Sequence, residues 1–327
     1  MILPPSSENI SRAADALRRG ECVGMPTETV YGLAGDGMNP VAVARIFDIK
    51  KRPSFDPLIL HVASAYDLSG IVKSVPETAQ KLMQRFWPGP LTLILPRNTS
   101  VPELVTAGLD TVAVRCPDHP VAQDLLRHFG GPLAAPSANP FGRLSPTLAE
   151  AVEDELGGKI AMTLDGGACR VGVESTIVDC RGAGVNVLRL GAVSLEELER
   201  TAGPVQVIKN NTLVAPGMLE NHYAPRTNLY LCESLEAGPL PPGAAGLAFS
   251  GGPANRQRKV LSSAGDLREA ATFLFAFLRD LDRCGATLIL AERVPELGLG
   301  RAINDRLKKA STGTASWGAA GWVLSQK

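Results

Sequence analysis

At 327 residues, with 45% hydrophobic and 20% charged residues, the chain has the composition of a globular protein and, at roughly 100–200 residues each, the length of two domains. Its 33 Lys+Arg balance 33 Asp+Glu, which is not the footprint of a dedicated nucleic-acid binder, although the net +4 of residues 204–327 leaves room for weak RNA contact and the net −4 of residues 1–203 opposes it. No apolar run nears the ~18 residues of a membrane span. The start MILPPSSENISRAAD carries no secretory pattern, and six scattered cysteines without CxxC or zinc spacing point to free thiols and a cytoplasmic location.

In chain order, ISRAADALRRG puts Ile10, Ala13, Ala14 and Leu17 on one helical face and stops at Gly20, a residue suited to the turn beyond a helix. ECVGMPT is a predicted strand, and it runs into PTETVYGLAGD. There Thr27 and Thr29 supply hydroxyls while Gly32 and Gly35 permit tight turns. Alone, that pattern favours a structural turn over a ligand cradle. NPVAVARIFDIK opens with Asn39 and Pro40, a pairing of N-cap and first turn. Lys50 and Arg52 follow in a proline-bounded loop, then Asp56 and the strand PLILHV, in which His61 is more commonly a satisfied core histidine than a ligand contact. Lysine's compact charge and arginine's planar fork suit phosphate oxygens, each charge-assisted bond contributing roughly 1.5–3 kcal/mol. A solvated basic loop fits this stretch equally well.

LTLIL and TVAVR are further strands. The second carries Thr111 and ends at Arg115, which in an apolar strand needs an anionic partner, either a ligand carboxylate or a structural Asp. After the strand GPLAA, the segment APSANPFGRLSPT gathers Ser137, Asn139, Ser145 and Thr147 around Gly142 and Arg143, donors that suit phosphate or a helix cap. Thr147 with Glu150, and Ser194 with Glu197, fit capping boxes. The strands IAMTL, STIVD and NVLRL add Glu174, Ser175, Thr176 and Arg189. This interleaving argues for an α/β layered domain with a mixed sheet up to Gly203. The periodicity lapses over 204–228, an ordered linker, and a small second α/β domain occupies 229–327. No GxxxxGK[ST], strand-linked GxGxxG, GxSxG or HExxH is present. The residues themselves support one site built from several strand ends, suited to a carboxylate plus phosphates.

Taken in order, PTETVYGLAGD, KKRPSFDPLILH, FWPGPLTLIL, TVAVRCP, APSANPFGRLSPT, DGG…ESTIVD and LRLGAVS resemble the YrdC-like domain of threonylcarbamoyl-AMP synthases, and APGMLENHYAP resembles the linker of the long form of that family. The resemblance implies a YrdC-like layered domain with a twisted mixed sheet at 1–203, a linker and lid at 204–228, and a small Rossmann-like α/β domain at 229–327. It implies synthesis of threonylcarbamoyl-AMP and pyrophosphate from L-threonine, bicarbonate and ATP with magnesium. The product would pass to a transferase complex that forms threonylcarbamoyladenosine in tRNA. Around L-threonine it puts Thr29, His61, Arg115, Ala135 and Ser175. Around ATP it puts Lys50, Arg52, Asp56, Thr111, Ser137, Ser145 and Arg189, with Asn139 close by and Tyr223 folded over the nucleotide. It supplies no covalent nucleophile, no assigned general base and no fixed protein ligands for the metal.

Three positions depart from the family pattern: Asp56 where asparagine is common, Leu190 where proline is usual, and a linker without the lysine that often follows GM. Two other readings compete. One is a non-catalytic RNA-binding module in tRNA or ribosome maturation, which the charge of residues 1–203 disfavours. The other is a carbamoyl-transfer protein of hydrogenase maturation, whose zinc-binding cysteine pairs and acylphosphatase-like segment this sequence lacks.

Overall fold

The computed structural model describes residues 1–182, 184–208, 215–217 and 223–327, and the chain divides into two compact units. The first consists of Met1–Phe141, Ser145–Arg170 and Glu174–Met218, the second of Gly142–Leu144, Val171–Val173 and Leu219–Lys327. Of the predicted linker, 209–214 and 218–222 lie outside the described residues, and with them most of the GMLENH stretch that departs from the family pattern.

The first unit opens with β1 (Ile2–Leu3), α1 (Ser7–Arg18), β2 (Val23–Met25), β3 (Gly32–Asp36) and α2 (Pro40–Lys50). Then come β4 (Ile59–His61), α3 (Glu77–Phe86), β5 (Leu91–Pro96), α4 (Glu103–Thr106), β6 (Thr111–Arg115), α5 (Pro120–Phe129) and β7 (Leu133–Ala134). It closes with α6 (Ala149–Leu156), β8 (Met162–Leu164), β9 (Thr176–Asp179), β10 (Val185–Arg189), α7 (Leu195–Ala202) and β11 (Val205–Val207). Its strands form one mixed 11-stranded sheet in the order β1-β8-β2-β3-β7-β4-β6-β5-β9-β10-β11.

The local signals explain the helix starts. Ser6 caps α1 through Asn9 N at 3.2 Å, and Asn39 caps α2 through Val41 N at 3.0 Å with Pro40 in the first turn. Ser194 and Glu197 make the reciprocal capping box of α7, a device worth about 1 kcal/mol. The box expected at Thr147 and Glu150 does not form. The N-cap of α6 is Leu148 without a side-chain bond, and the Thr147 carbonyl instead accepts from Cys169 N at 3.0 Å. GLAGD, taken in the sequence as part of a turn, is a strand: β3 pairs antiparallel with β2, so the hydroxyl-rich segment from Pro26 to Tyr31 joins two neighbouring strands. Within 204–228, Val205–Val207 pair parallel with β10, stretching the first sheet beyond the point where the periodicity lapses.

Two apolar clusters hold the unit. Val43, Ile46, Leu82, Met83, Val152 and Leu198 of α2, α3, α6 and α7 pack with strand residues in one, whereas Ile10, Leu17, Leu125 and Leu126 of α1 and α5 pack in the other. Each fully buried Val, Leu or Ile contributes roughly 1.5–3 kcal/mol.

The second unit contains β12 (Leu229–Cys232), β13 (Ala244–Ala248), β14 (Arg258–Val260), α8 (Leu267–Asp282), β15 (Leu288–Glu292), α9 (Gly300–Ala310), β16 (Gly313–Gly318) and β17 (Gly321–Gln326). They form a 6-stranded sheet in the order β14-β13-β15-β12-β16-β17, parallel except at the β16–β17 hairpin. Asp266 caps α8 through the amides of Arg268 and Glu269 at 2.6 and 2.9 Å. Among the described residues, no helix is long and apolar enough to cross a membrane.

Candidate functional site

Strand alternation gathers the polar side chains that the sequence scattered. In β4, β5, β6 and β9, Leu60, Leu91, Leu93, Leu95, Val112, Val114 and Val178 enter the main core. The residues between them, Ile59, Ile94, Ala113 and Ile177, form a separate cluster with Ala215. A side-chain period of two puts His61 beside Ile59, Thr92 beside Ile94, and Thr111 and Arg115 on either side of Ala113, all on this second face. Register then lines them up across neighbouring strands: His61 opposite Arg115, and Arg115 opposite Thr92. Thr92 Oγ1 lies 2.7 Å from Oγ of Ser175, the residue before β9. All of these side chains are buried.

Arg189 braces the end of this row. Its Nε and Nη2 donate to the Ser175 carbonyl at 3.1 and 2.9 Å, Nη2 reaches Ser175 Oγ at 3.0 Å, and Nη1 donates to the Pro216 carbonyl at 3.3 Å. Gly191 makes room for the same segment. A Cβ there would lie 2.4 Å from Glu174 O and 2.5 Å from the Ser175 carbonyl carbon and Thr176 N, all backbone atoms that cannot step aside. Gly191→Ala is therefore expected to destabilise the fold by about 1–3 kcal/mol. Denaturant unfolding checks this, and an unchanged midpoint would contradict the packing.

His61 stays neutral. Burial first, and the Arg115 guanidinium second, hold its imidazole down to about 3 from the usual 6.5. The unfolded chain takes up that proton below about 6.5 and the folded chain does not, so folded stability is lost as pH falls from 6.5 toward 3, by about 1 kcal/mol per pH unit. His61→Gln removes the effect, so its stability deficit relative to the parent should shrink by that amount between pH 6 and 5. A deficit constant over that range would contradict a neutral His61.

The side-chain partner of Arg115 is not the structural Asp considered from sequence. It is Glu28, with Oε1 2.8 Å from Nη2 and both side chains almost fully buried. Glu28 was not singled out as a candidate. A carboxylate inside a buried turn was the available signal, and Thr92, alone in an apolar strand, was missed likewise. In the same turn Thr27 Oγ1 donates to the Val30 carbonyl at 2.6 Å and lies 2.9 Å from Thr29 Oγ1, so the hydroxyls also shape the loop. Ala135 N donates to the Ile59 carbonyl at 3.1 Å, holding the segment after β7 against β4.

Lys50, the last residue of α2, turns inward rather than standing in a solvated loop, with Lys51 at φ 53 redirecting the chain. Its Nζ donates to the Ser137 carbonyl at 2.5 Å and to that of Asn139. Burial first, then Arg52, pull its ammonium well below the usual lysine range, while Asp56 and Glu155 act the other way. Arg52 Nε donates to the Asp56 carbonyl at 3.0 Å and Nη2 to that of Pro57 at 2.9 Å, and Nη2 lies 2.9 Å from Asp56 Oδ1. The unusual Asp56 thus faces Arg52, and burial raises its carboxyl against the pull of Arg52, Lys50 and Arg189. Ser145 Oγ donates to Glu174 Oε1 at 2.6 Å, and Ser137, half-buried, bridges to Gly32.

Thr29, His61, Arg115, Ala135, Ser175, Lys50, Arg52, Asp56, Thr111, Ser137, Asn139, Ser145 and Arg189 all belong to the first unit. Tyr223 belongs to the second. It adopts φ 65 and is buried with its ring 5.7 Å from that of Phe275 and 5.0 Å from the Arg306 guanidinium carbon. An open cavity of about 590 Å³, lined by residues including Val62, Tyr66, Ile71, Leu126 and Gly131, contains none of these candidates. Among the described residues, no three His, Cys, Asp or Glu converge on a metal-sized space, and the Asp56 carboxylate is paired with Arg52.

A family profile described as Telomere recombination matches residues 15–191, and one described as Threonylcarbamoyl-AMP synthase, C-terminal domain, matches residues 193–312. The chain is 41% identical over 321 residues to the threonylcarbamoyl-AMP synthase of Pyrococcus abyssi, covering 91% of this chain and 93% of that one. It is 40% identical over 329 residues to the Bacillus subtilis protein of the same name, covering 95% of each. The crystal structure of P. abyssi Sua5 complexed with L-threonine matches with a TM-score of 0.88 at 39% identity, over 95% of this chain and 97% of that one. Escherichia coli YciO matches over 58% of this chain and 94% of its own, with a TM-score of 0.52 at 25% identity.

Proposed function

The chain belongs to the two-domain threonylcarbamoyl-AMP synthases, nucleotidyltransferases of tRNA modification, and from that premise we propose that the buried strand-end row of its first unit is where L-threonine, bicarbonate and ATP react. The observation that carries this reading is the likeness, over nearly the whole chain, to a structure that holds L-threonine. In this reading Arg115 takes the threonine carboxylate, with Thr29, His61, Ala135 and Ser175 around the rest of the amino acid. Lys50, Arg52, Asp56, Thr111, Ser137, Asn139, Ser145 and Arg189 surround ATP, and Tyr223 serves as the lid over it.

The chemistry needs no covalent nucleophile. The threonine ammonium first releases a proton to water, the resulting amine and bicarbonate give a carbamate and water, and a carbamate oxygen then attacks the α-phosphorus and displaces pyrophosphate. Catalysis rests on holding the reactants in line within a low-dielectric site and on balancing phosphate charge. An ammonium has three donors. Two of those on Lys50 are held by the Ser137 and Asn139 carbonyls, leaving one for a phosphate oxygen. Neutral His61 offers a hydrogen bond without adding charge beside Arg115. Magnesium, bound with ATP, would neutralise the departing pyrophosphate.

The second unit we take to be Rossmann-like in its layering of helices on a mostly parallel sheet. Its first strand, β12, lies between β15 and β16, whereas the usual dinucleotide-binding order flanks the first strand with the second and fourth. Its part is to carry the lid and, with its net positive charge, to make any weak RNA contact. We place the protein in the cytoplasm, upstream of a transferase complex that passes the threonylcarbamoyl group to tRNA. The test is a reaction of ATP, magnesium and ¹³C-bicarbonate with and without L-threonine. A threonine-dependent product with the mass of ¹³C-threonylcarbamoyl-AMP is expected; ATP turnover that ignores threonine, or no turnover by folded protein that binds ATP, would overturn the reading.

A further inference from the structure

We propose that Glu28 is the receptor for the α-ammonium of the amino-acid substrate, so that Glu28 and Arg115 together select a zwitterion. The inference rests on the reading of this row as the L-threonine site and names a residue that the reading leaves out. Glu28 is fully buried in the turn between β2 and β3. Its only partner among the described residues is Arg115 Nη2, 2.8 Å from Oε1. That approach is close but not aligned for hydrogen bonding: both carboxylate oxygens of Glu28, and Nε and Nη2 of Arg115, lack a hydrogen-bond partner.

A structural ion pair in a protein interior normally satisfies its lone pairs and protons, because desolvated charges without hydrogen bonds are unfavourable. Here an acceptor-only group and a donor-only group lie side by side with their capacity unmet. An α-amino acid carries the complementary set, an ammonium with donors only and a carboxylate with acceptors only, attached to one carbon. Bound in place of their 2.8 Å approach to each other, with the two side chains drawn apart, it gives each buried charge an opposite and hydrogen-bonded partner. The other ionisable groups within the field of Glu28 are Cys116, His119 and Cys169. Burial raises both thiols and lowers the imidazole, so in each case it favours the uncharged form, and among the described residues the ion-pair partner of Glu28 is Arg115.

The probes are L-threonine and 2,3-dihydroxybutanoate, which replaces the ammonium by a hydroxyl, each titrated calorimetrically into the full chain and into Glu28→Gln. The parent should prefer threonine by about 30–100-fold, the worth of a charge-assisted bond. In Glu28→Gln that preference should fall to about threefold or less, with dihydroxybutanoate and ATP binding changed little. An unchanged preference, or equal weakening of both ligands, would overturn the proposal and make Glu28 a structural partner of Arg115. Failure of the parent to bind L-threonine at all would instead remove the site reading beneath it. Should Glu28→Gln not fold, Glu28→Asp carries the test. It keeps the charge but withdraws it by one methylene, so the preference for threonine should fall about tenfold, and a preference equal to the parent's would overturn the proposal.

Discussion

Arg115→Met will lower threonine-dependent pyrophosphate release by a factor of about 10³ while leaving ATP binding nearly intact, because it removes the one buried cation assigned to the threonine carboxylate. It will also destabilise the protein by about 3–5 kcal/mol, since Glu28 is left as an uncompensated buried charge. The two effects separate in a double variant. Adding Glu28→Gln discharges the orphaned carboxylate and should recover most of the unfolding free energy, but it cannot restore turnover. Chemical denaturation and a pyrophosphate assay on the same three proteins check both halves. Turnover within tenfold of the parent in Arg115→Met would contradict the assignment of the carboxylate.

The second large effect is expected at Lys50. Its ammonium holds the Ser137 and Asn139 carbonyls and has one donor left, so Lys50→Met, similar in volume, removes both the brace of the APSAN segment and the contact assigned to phosphate. ATP affinity should fall by about 10²–10³, the worth of one or two charge-assisted bonds together with loosening of the loop. L-threonine affinity, measured without nucleotide, should change by no more than about threefold, because Lys50 ends helix α2 whereas Arg115 ends strand β6 and neither bonds the other. Equal loss of both ligands would mean that Lys50 supports the fold of the whole site rather than the nucleotide.

Much of this was legible in the sequence, and the reasons are local. The caps at Asn39 and Ser194 and the strands LTLIL, TVAVR and STIVD follow from short-range chemistry that packing leaves alone. Helix α3 and the β16–β17 hairpin carry weaker local signals, and the glycines of GLAGD read as a turn although the segment pairs with β2 as a strand. Thr147 resembles an N-cap, but the helix starts one residue later, with Leu148 in the cap position. Most of the candidate residues could be named, yet their mutual arrangement could not. The parity of Thr111, Ala113 and Arg115 was available in TVAVR and would have put the polar residues on one face. That Arg115 would face His61 and Thr92, and pair with Glu28 rather than an Asp, depends on the order β7-β4-β6-β5-β9 of non-sequential strands. Register across such strands is fixed by tertiary packing, which no window of sequence contains.

One row of buried side chains across β4, β6, β5 and the start of β9 is proposed to receive L-threonine, and Lys50, Arg52 and Ser145 are proposed to receive the phosphates of ATP. A crystal structure with L-threonine and a non-hydrolysable ATP analogue tests this most directly. The expected complex has the threonine carboxylate on Arg115, its ammonium on Glu28, and the phosphates within reach of Lys50, Arg52 and Ser145. Ligands seated in the cavity lined by Val62, Tyr66 and Leu126, or threonine bound with Arg115 and Glu28 still paired to each other, would contradict it.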